Sequence, residues 1–249
     1  MATPILELKD VSVDFDGFFA LTDLSISLQP GELRSIIGPN GAGKTTFLDV
    51  ITGKVKPTKG SVLLRGGSLS GKSEQRISRM GVGRKFQTPR VFENLTVIRN
   101  LELAASPRKT AYHLFAETLE PAVKDEVHRI MEYVGLAPYA KVEAGSLSHG
   151  QKQWLAISML VAQSPDIILL DEPVAGLTDE ETDRTAELIK SLAGEHTVVV
   201  IEHDMEFIRS LAAPVTVLHQ GKLLTEGSLD DVKADPRVIE VYLGQSDDD

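Results

Sequence analysis

Two short runs carry residues whose types and spacing suit phosphate chemistry. The first is GPNGAGKT, Gly38 to Thr45, a Gly-x4-Gly-Lys-Thr phosphate loop. The glycines Gly38, Gly41 and Gly43 let the backbone wrap closely, so that its amides point at phosphate oxygens. Pro39, Asn40 and Ala42 complete the loop, and Thr46 follows it. Lys44 offers a mobile charge to the outer phosphates, and Thr45 a hydroxyl to Mg²⁺. The second run is IILLDEP, Ile167 to Pro173, four apolar residues and then two acids. It reads as a strand buried on both faces, whose carboxyl end presents Asp171 and Glu172 to a ligand. Asp171 can serve Mg²⁺ through a water, and Glu172 can act as general base on an attacking water. Together the runs point to a P-loop nucleoside triphosphatase, a class that also holds kinases, GTPases and helicases.

A third run, SLSHGQKQW at 146–154, sets Ser148 beside His149. It does not read as a nucleophile and its base. The hydrolase elbow needs Gly-x-Ser-x-Gly; Gly150 is in place, but position 146 is Ser and the upstream glycine is Gly145. Adjacent side chains also point in different directions on either regular element. A helix N-cap is the plain role open to Ser148.

The elements that position these runs follow from periodicity. Strand-like stretches ILELKDVSVDF, LSISLQ and LRSIIG open the chain, and the third leads into the phosphate loop. After SVLL come a short helical stretch, EQRISRM, and a strand, GVGRKFQ, leading out of the core. From about Pro89 to Gln163 the pattern is helical. Strands then alternate with helices again: DIILLDE, a helix over 179–193, TVVVIEHD, MEFIRSLAA, VTVLHQ and KLLTEG. Such alternation predicts an α/β fold with a mainly parallel sheet, and the long helical stretch an inserted arm. The expected organisation is one domain over 1–249. Its core spans about 1–88 and 164–227, its helical arm about 89–163, and a C-terminal helix with an acidic tail 228–249.

Composition narrows the classes further. The chain has 249 residues, 42% of them hydrophobic, and no apolar run near the length of a membrane span. The start, MATPILELKD, has no basic stretch before an apolar one, so no export signal is expected. Without cysteine there is neither a disulfide framework nor thiolate chemistry. A net charge of -10 argues against a nucleic-acid partner.

The run LSHGQ, Leu147 to Gln151, separates the triphosphatase families. It resembles the Leu-Ser-Gly-Gly-Gln signature of the ATP-binding cassette (ABC) ATPases, and the resemblance extends from about Leu6 to Gly227 with every major motif in order. It implies a RecA-like P-loop core, an antiparallel N-terminal β part and an inserted helical subdomain, with ATP and Mg²⁺ as ligands. It also implies that Ser148, His149, Gly150 and Gln151 meet the γ-phosphate held by a second ATPase subunit. Amides and the positive dipole of a helix start suit that anion. Here His149 replaces the family's first signature glycine.

Other roles transfer by the same resemblance. Gln87, ending GRKFQ, matches the glutamine linking the Mg²⁺ site to the helical arm. His203, in VVVIEHDM, matches the histidine that contacts the γ-phosphate. A metal site at Glu202-His203-Asp204 is a poor reading, since no second histidine stands at ligand spacing. Phe15 matches the aromatic residue that stacks on adenine, with Phe18 or Phe19 as alternatives and a core role for all three also open. Where the family commonly reads Ser-Ala-Leu-Asp, this chain has Ala175-Gly176-Leu177-Thr178. Thr178 with Glu181 fits a capping box instead.

Within the family, GRKFQTPRVFENLTVIRNLELA and DPRVIEVYLG resemble the branched-chain amino acid importer group. The stretch 147–243 resembles its urea-transport branch. The resemblance implies a cassette subunit on the cytoplasmic face of the inner membrane, with a second ATPase subunit and permease subunits as partners. A periplasmic solute-binding protein would be an indirect partner. A soluble, non-transport ABC ATPase, such as an accessory of iron–sulfur assembly, is the alternative. Chromosome-maintenance types are excluded, because Lys44 and Ser148 stand only about a hundred positions apart with no sustained heptads.

Overall fold

Side chains alternate across a strand, so a strand apolar at every position must be covered on both faces. The computed structural model, which describes residues 3–85, 91–106 and 121–243, shows that arrangement. The chain opens with β1 (Leu6–Phe15) and β2 (Phe18–Leu28), followed by β3 (Leu33–Ile37) and α1 (Lys44–Thr52). β4 (Lys59–Leu64), β5 (Gly67–Ser68), α2 (Glu74–Arg79) and β6 (Val82–Lys85) complete the first part. The middle of the chain contributes α3 (Val97–Ala105), α4 (Pro121–Tyr133) and α5 (His149–Val161). There follow β7 (Ile167–Asp171), α6 (Asp179–Leu192), β8 (Thr197–Ile201), α7 (Met205–Leu211), β9 (Val215–His219) and β10 (Lys222–Gly227). Two short helices, α8 (Leu229–Ala234) and α9 (Pro236–Leu243), replace the single C-terminal helix expected from sequence.

The strands form two sheets. One is antiparallel, in the order β2-β1-β4-β5; the other runs β10-β9-β3-β8-β7-β6 and is parallel from β9 to β6. The period of two is visible in the core. Ile167, Leu169, Val199 and Ile201 pack toward α1 and the antiparallel sheet. Ile168, Leu170, Val198 and Val200 pack on the other face with α3, α5 and α6. The carboxyl ends of β3, β8 and β7 therefore lie side by side, where parallel sheets collect ligands. A third apolar cluster joins Ile37, just before the phosphate loop, to Val232 of α8 and Val238 of α9.

The first strand pair departs from its sequence reading. β2 begins at Phe18, six residues before the run LSISLQ, because Asp16 and Gly17 form a tight turn with φ of 51° and 96°. Phe15 pairs across that turn with Phe18, and Asp14 with Phe19. All three phenylalanines are exposed, so the core alternative fails for each. Of the strand expected over GVGRKFQ, residues 82–85 are β6 and Gly81 is a left-handed turn residue before it, φ 97°; positions 86 and 87 lie outside the described residues.

Candidate functional site

The phosphate loop leaves β3 and enters α1 through left-handed glycines. Gly38 lies so near the chain that a Cβ there would stand 2.2 Å from the Leu218 carbonyl oxygen. At Gly43, with φ 98°, a Cβ would stand 2.6 Å from the Ala20 carbonyl. Both positions admit only glycine. Gly43 is also the N-cap of α1 and supplies no capping side chain, and the first turn holds no acid. Its amides can therefore receive an anion. Asn40 and Gly41 are exposed, as is Thr45, while Pro39, Lys44 and Thr46 are half-buried. The Ala42 amide is turned inward to the Pro39 carbonyl at 3.1 Å. Lys44 Nζ donates to the carbonyls of Gly38 and Pro39 at 2.5 and 2.9 Å. Burial lowers its pKa, opposed by the charges of Glu172 and Asp171, which lie near enough to act on it.

Asp171 ends β7 as expected, and Glu172 follows it in a left-handed conformation, φ 46°. A non-glycine residue there is strained, a state that persists only where neighbours enforce it. The Glu172 amide donates to Ile201 O at 2.9 Å, tying this turn to the end of β8. His203, just past β8, is exposed, with Nδ1 3.8 Å from Glu172 Oε1. The fold thus gathers the phosphate loop, Asp171, Glu172 and His203 at one edge of the sheet. Gln87 lies outside the described residues.

Two charged residues behind this edge escaped the sequence reading. Arg84 in β6 bridges Asp49 Oδ1 of α1 at 2.5 Å and Asp171 Oδ2 at 2.9 Å. It leaves one Asp171 oxygen for other work. Lys85 is buried, which lowers its pKa to about 8 against the opposing charges of Asp171 and Glu202. The signal was available: consecutive cations in a core strand require buried acids.

Ser148 is the N-cap of α5. Its hydroxyl accepts from the Gln151 amide at 3.2 Å, and Gln151 Oε1 accepts from the Ser148 amide at 3.0 Å. Its Oγ lies 3.5 Å from Glu181 Oε1, and the same carboxylate sits against Gly150. His149 turns away from Ser148: its Nε2 lies 3.2 Å from Ala175 O, an acceptor, so Nε2 carries the proton. Thr178 caps α6 in a capping box with Glu181. Trp154 Nε1 donates to Thr185 Oγ1 at 2.9 Å and fixes α5 on α6. The signature-like run and the segment after Glu172 are thereby joined within one chain. Among the described residues no group of His, Cys, Asp or Glu is arranged to hold a metal ion. Glu202 instead turns its carboxylate onto backbone amides.

A glycine loop opening a helix, beside a parallel strand that ends in two acids, defines a P-loop triphosphatase. Comparison with known proteins narrows the class. Residues 21–175 match the ABC transporter family, and residues 222–248 match the family described as branched-chain amino acid ATP-binding cassette transporter. The chain is 38% identical over 256 residues to the high-affinity branched-chain amino acid transport ATP-binding protein LivG of Escherichia coli K12, covering 99% of this chain and 100% of that one. It superimposes with a TM-score of 0.84 and 29% identity on the ADP conformation of an ATP-binding cassette of an ABC transporter, covering 98% of this chain and 100% of that one. A dimeric post-hydrolysis cassette bound to ADP and Pi gives 0.74 and 27%, covering 90% and 98%. The chain belongs to the ATP-binding subunits of ABC transporters, in the branched-chain amino acid group. It is an ABC ATPase.

Proposed function

We propose that this chain binds and hydrolyses ATP to power an importer for branched-chain amino acids or a related small solute. The observation that carries the solute class is the full-length similarity to LivG. Urea is a second reading, supported by the stretch 147–243. The soluble alternative has no support among these relatives.

In this reading the amides of Gly41 and of Gly43 to Thr46, with the Lys44 ammonium, hold the phosphates, and an exposed Phe15 stacks on adenine. The free oxygen of Asp171 and the hydroxyl of Thr45 are hard donors, which suits Mg²⁺; Gln87 would join them. Mg²⁺, when bound, would neutralise charge on the phosphate oxygens. Glu172 takes the proton of the attacking water as its oxygen bonds to the γ-phosphorus and the bond to the ADP oxygen breaks. His203 donates to the γ-phosphate. Ser148 and the amides of His149, Gly150 and Gln151 complete the site of a second ATPase subunit, and ATP closes the dimer.

The chain would lie against the cytoplasmic face of the membrane. Among the described residues no helix is long and apolar enough to cross it. The contact with a permease would be the arm surface just after Gln87, including exposed Phe92 and also Arg90, which lies outside the described residues. Buried Asn100 holds that loop, accepting from the Phe92 amide at 2.8 Å and donating to the carbonyls of Phe92, Leu95 and Thr96. Reconstitution with the permease subunits and solute-binding protein in liposomes tests the reading. ATP-dependent uptake of leucine or of urea supports the respective branch. A chain that hydrolyses ATP but binds no membrane subunit contradicts both.

A further inference from the structure

The acid just before His203 has no part in the roles above, yet it is the most enclosed charge at the site. Glu202 is 1% exposed. Its Oε1 accepts from the Val174 amide at 3.2 Å, and its Oε2 from the His203 amide at 3.1 Å. The Asp204 amide also lies near enough to favour the charged carboxylate. One carboxylate thus receives amides from two segments far apart in sequence: the turn carrying Glu172, and the exit of β8 carrying His203. Both segments must be held. Glu172 sits in a left-handed conformation, and His203 stands on an exposed loop end with Nδ1 3.7 Å from Glu202 Oε2. The charges facing Glu202 are Lys85 of β6, which also feels Asp171, and His203 itself. Burial raises its pKa, and the amide bonds oppose that rise.

We propose that Glu202 is a positioning residue for hydrolysis, a carboxylate staple that fixes the Glu172 turn relative to His203. The proposal rests on the reading of Glu172 and His203 above. A carboxylate can accept from both segments at once, because each oxygen takes at least one amide. A carboxamide cannot: it presents one oxygen, and its NH₂ opposes the amide on the other side. Glu202→Gln therefore keeps the volume and releases one segment. An apolar replacement, Glu202→Met, releases both segments and leaves the Val174 and His203 amides without that acceptor, at a cost to the fold for each buried donor. Misplacement of a catalytic group by about 1 Å costs on the order of a hundredfold in rate.

The experiment compares ATP hydrolysis by the full chain and its Glu202→Gln and Glu202→Met variants, with ATP affinity and thermal unfolding measured on the same samples. The expected result is a kcat about 10–100-fold lower in both variants. The KM for ATP should stay within about threefold, and both variants should remain folded at the assay temperature, although the orphaned amides lower the melting temperature by several degrees. In single-turnover assays, adding Glu202→Gln to His203→Ala should cost less than the two separate losses multiplied, because both act on one arrangement. An unchanged kcat, a loss that tracks ATP affinity or unfolding at the assay temperature, or fully multiplicative losses would overturn the staple. Glu172→Gln in the same series keeps the two levels apart. If it hydrolyses ATP normally, the reading of the site fails. If it is inactive while both Glu202 variants are normal, only the staple fails.

Discussion

Replacing Arg84 with methionine removes the cation that joins α1 to the end of β7. The Arg84 side chain is 5% exposed, and the Asp49 and Asp171 carboxylates it bridges are 11% and 15% exposed. Breaking a buried ion pair from one side costs about 3–5 kcal/mol, because the remaining charge is orphaned. Two features reduce that figure. Asp49 keeps Lys54 at 3.1 Å, and Asp171 keeps the field of Lys44 and Lys85. A loss of about 2–4 kcal/mol remains. At about 2–4 °C per kcal/mol for a chain of this size, the melting temperature should fall by about 5–15 °C. Thermal unfolding followed by circular dichroism reads this directly. The double variant Arg84→Met with Asp49→Asn removes one of the two orphaned charges and should melt above the single variant. A single variant within about 2 °C of the parent chain, or a double variant that melts lower still, would refute the reasoning.

Three further outcomes follow from the site. Glu172→Gln should leave ATP binding intact and slow hydrolysis by about 10²–10⁴, the span for losing a general base, as read by phosphate release. His149→Gln keeps a donor at similar reach to Ala175 O, while His149→Leu removes it; hydrolysis should be nearly unchanged in the first and about 3–10-fold lower in the second, the worth of one neutral hydrogen bond. Equal rates in the two variants would show that the contact does not matter. Phe92→Asp should abolish assembly with the permease while sparing ATP binding, because Phe92 is exposed and Asn100 holds its backbone whichever side chain it carries; a complex that still forms and transports would place the contact elsewhere.

What could be read from the sequence was local. The runs IILLD and TVVVI had to be doubly covered strands, and the phosphate loop had to open a helix, because period and glycine spacing act within a few residues. The N-cap at Ser148 and the capping box at Thr178 were legible for the same reason. Two local signals were passed over. Asp16-Gly17 marks a two-residue hairpin turn and would have started β2 at Phe18. The Ser228-Leu-Asp-Asp231 capping box and the Asp235-Pro236 break would have divided the C-terminal helix. Other features are long-range, and no pattern in one segment encodes them. The strand order, with β8 between β3 and β7, depends on crossover connections. The Arg84 bridge spans residues 49, 84 and 171, and Glu202 meets Val174 across two strand ends. His149 shows the limit most clearly: its departure from the signature was visible, but its acceptor on Ala175 was not.

The central claim, that each ATP lies between the phosphate loop of one subunit and the Ser148 run of another, is tested most directly by mixing two inactive chains. One carries Lys44→Ala and the other Ser148→Arg, and each homodimer has two broken sites. A mixed dimer gathers both lesions in one site and leaves the other with an intact Lys44 and an intact Ser148. An equal mixture that exchanges freely, with independent sites, should recover roughly a quarter of parental hydrolysis, and labelled ATP should be trapped there. No recovery and no trapping, in mixtures shown to contain mixed dimers, would contradict the shared site.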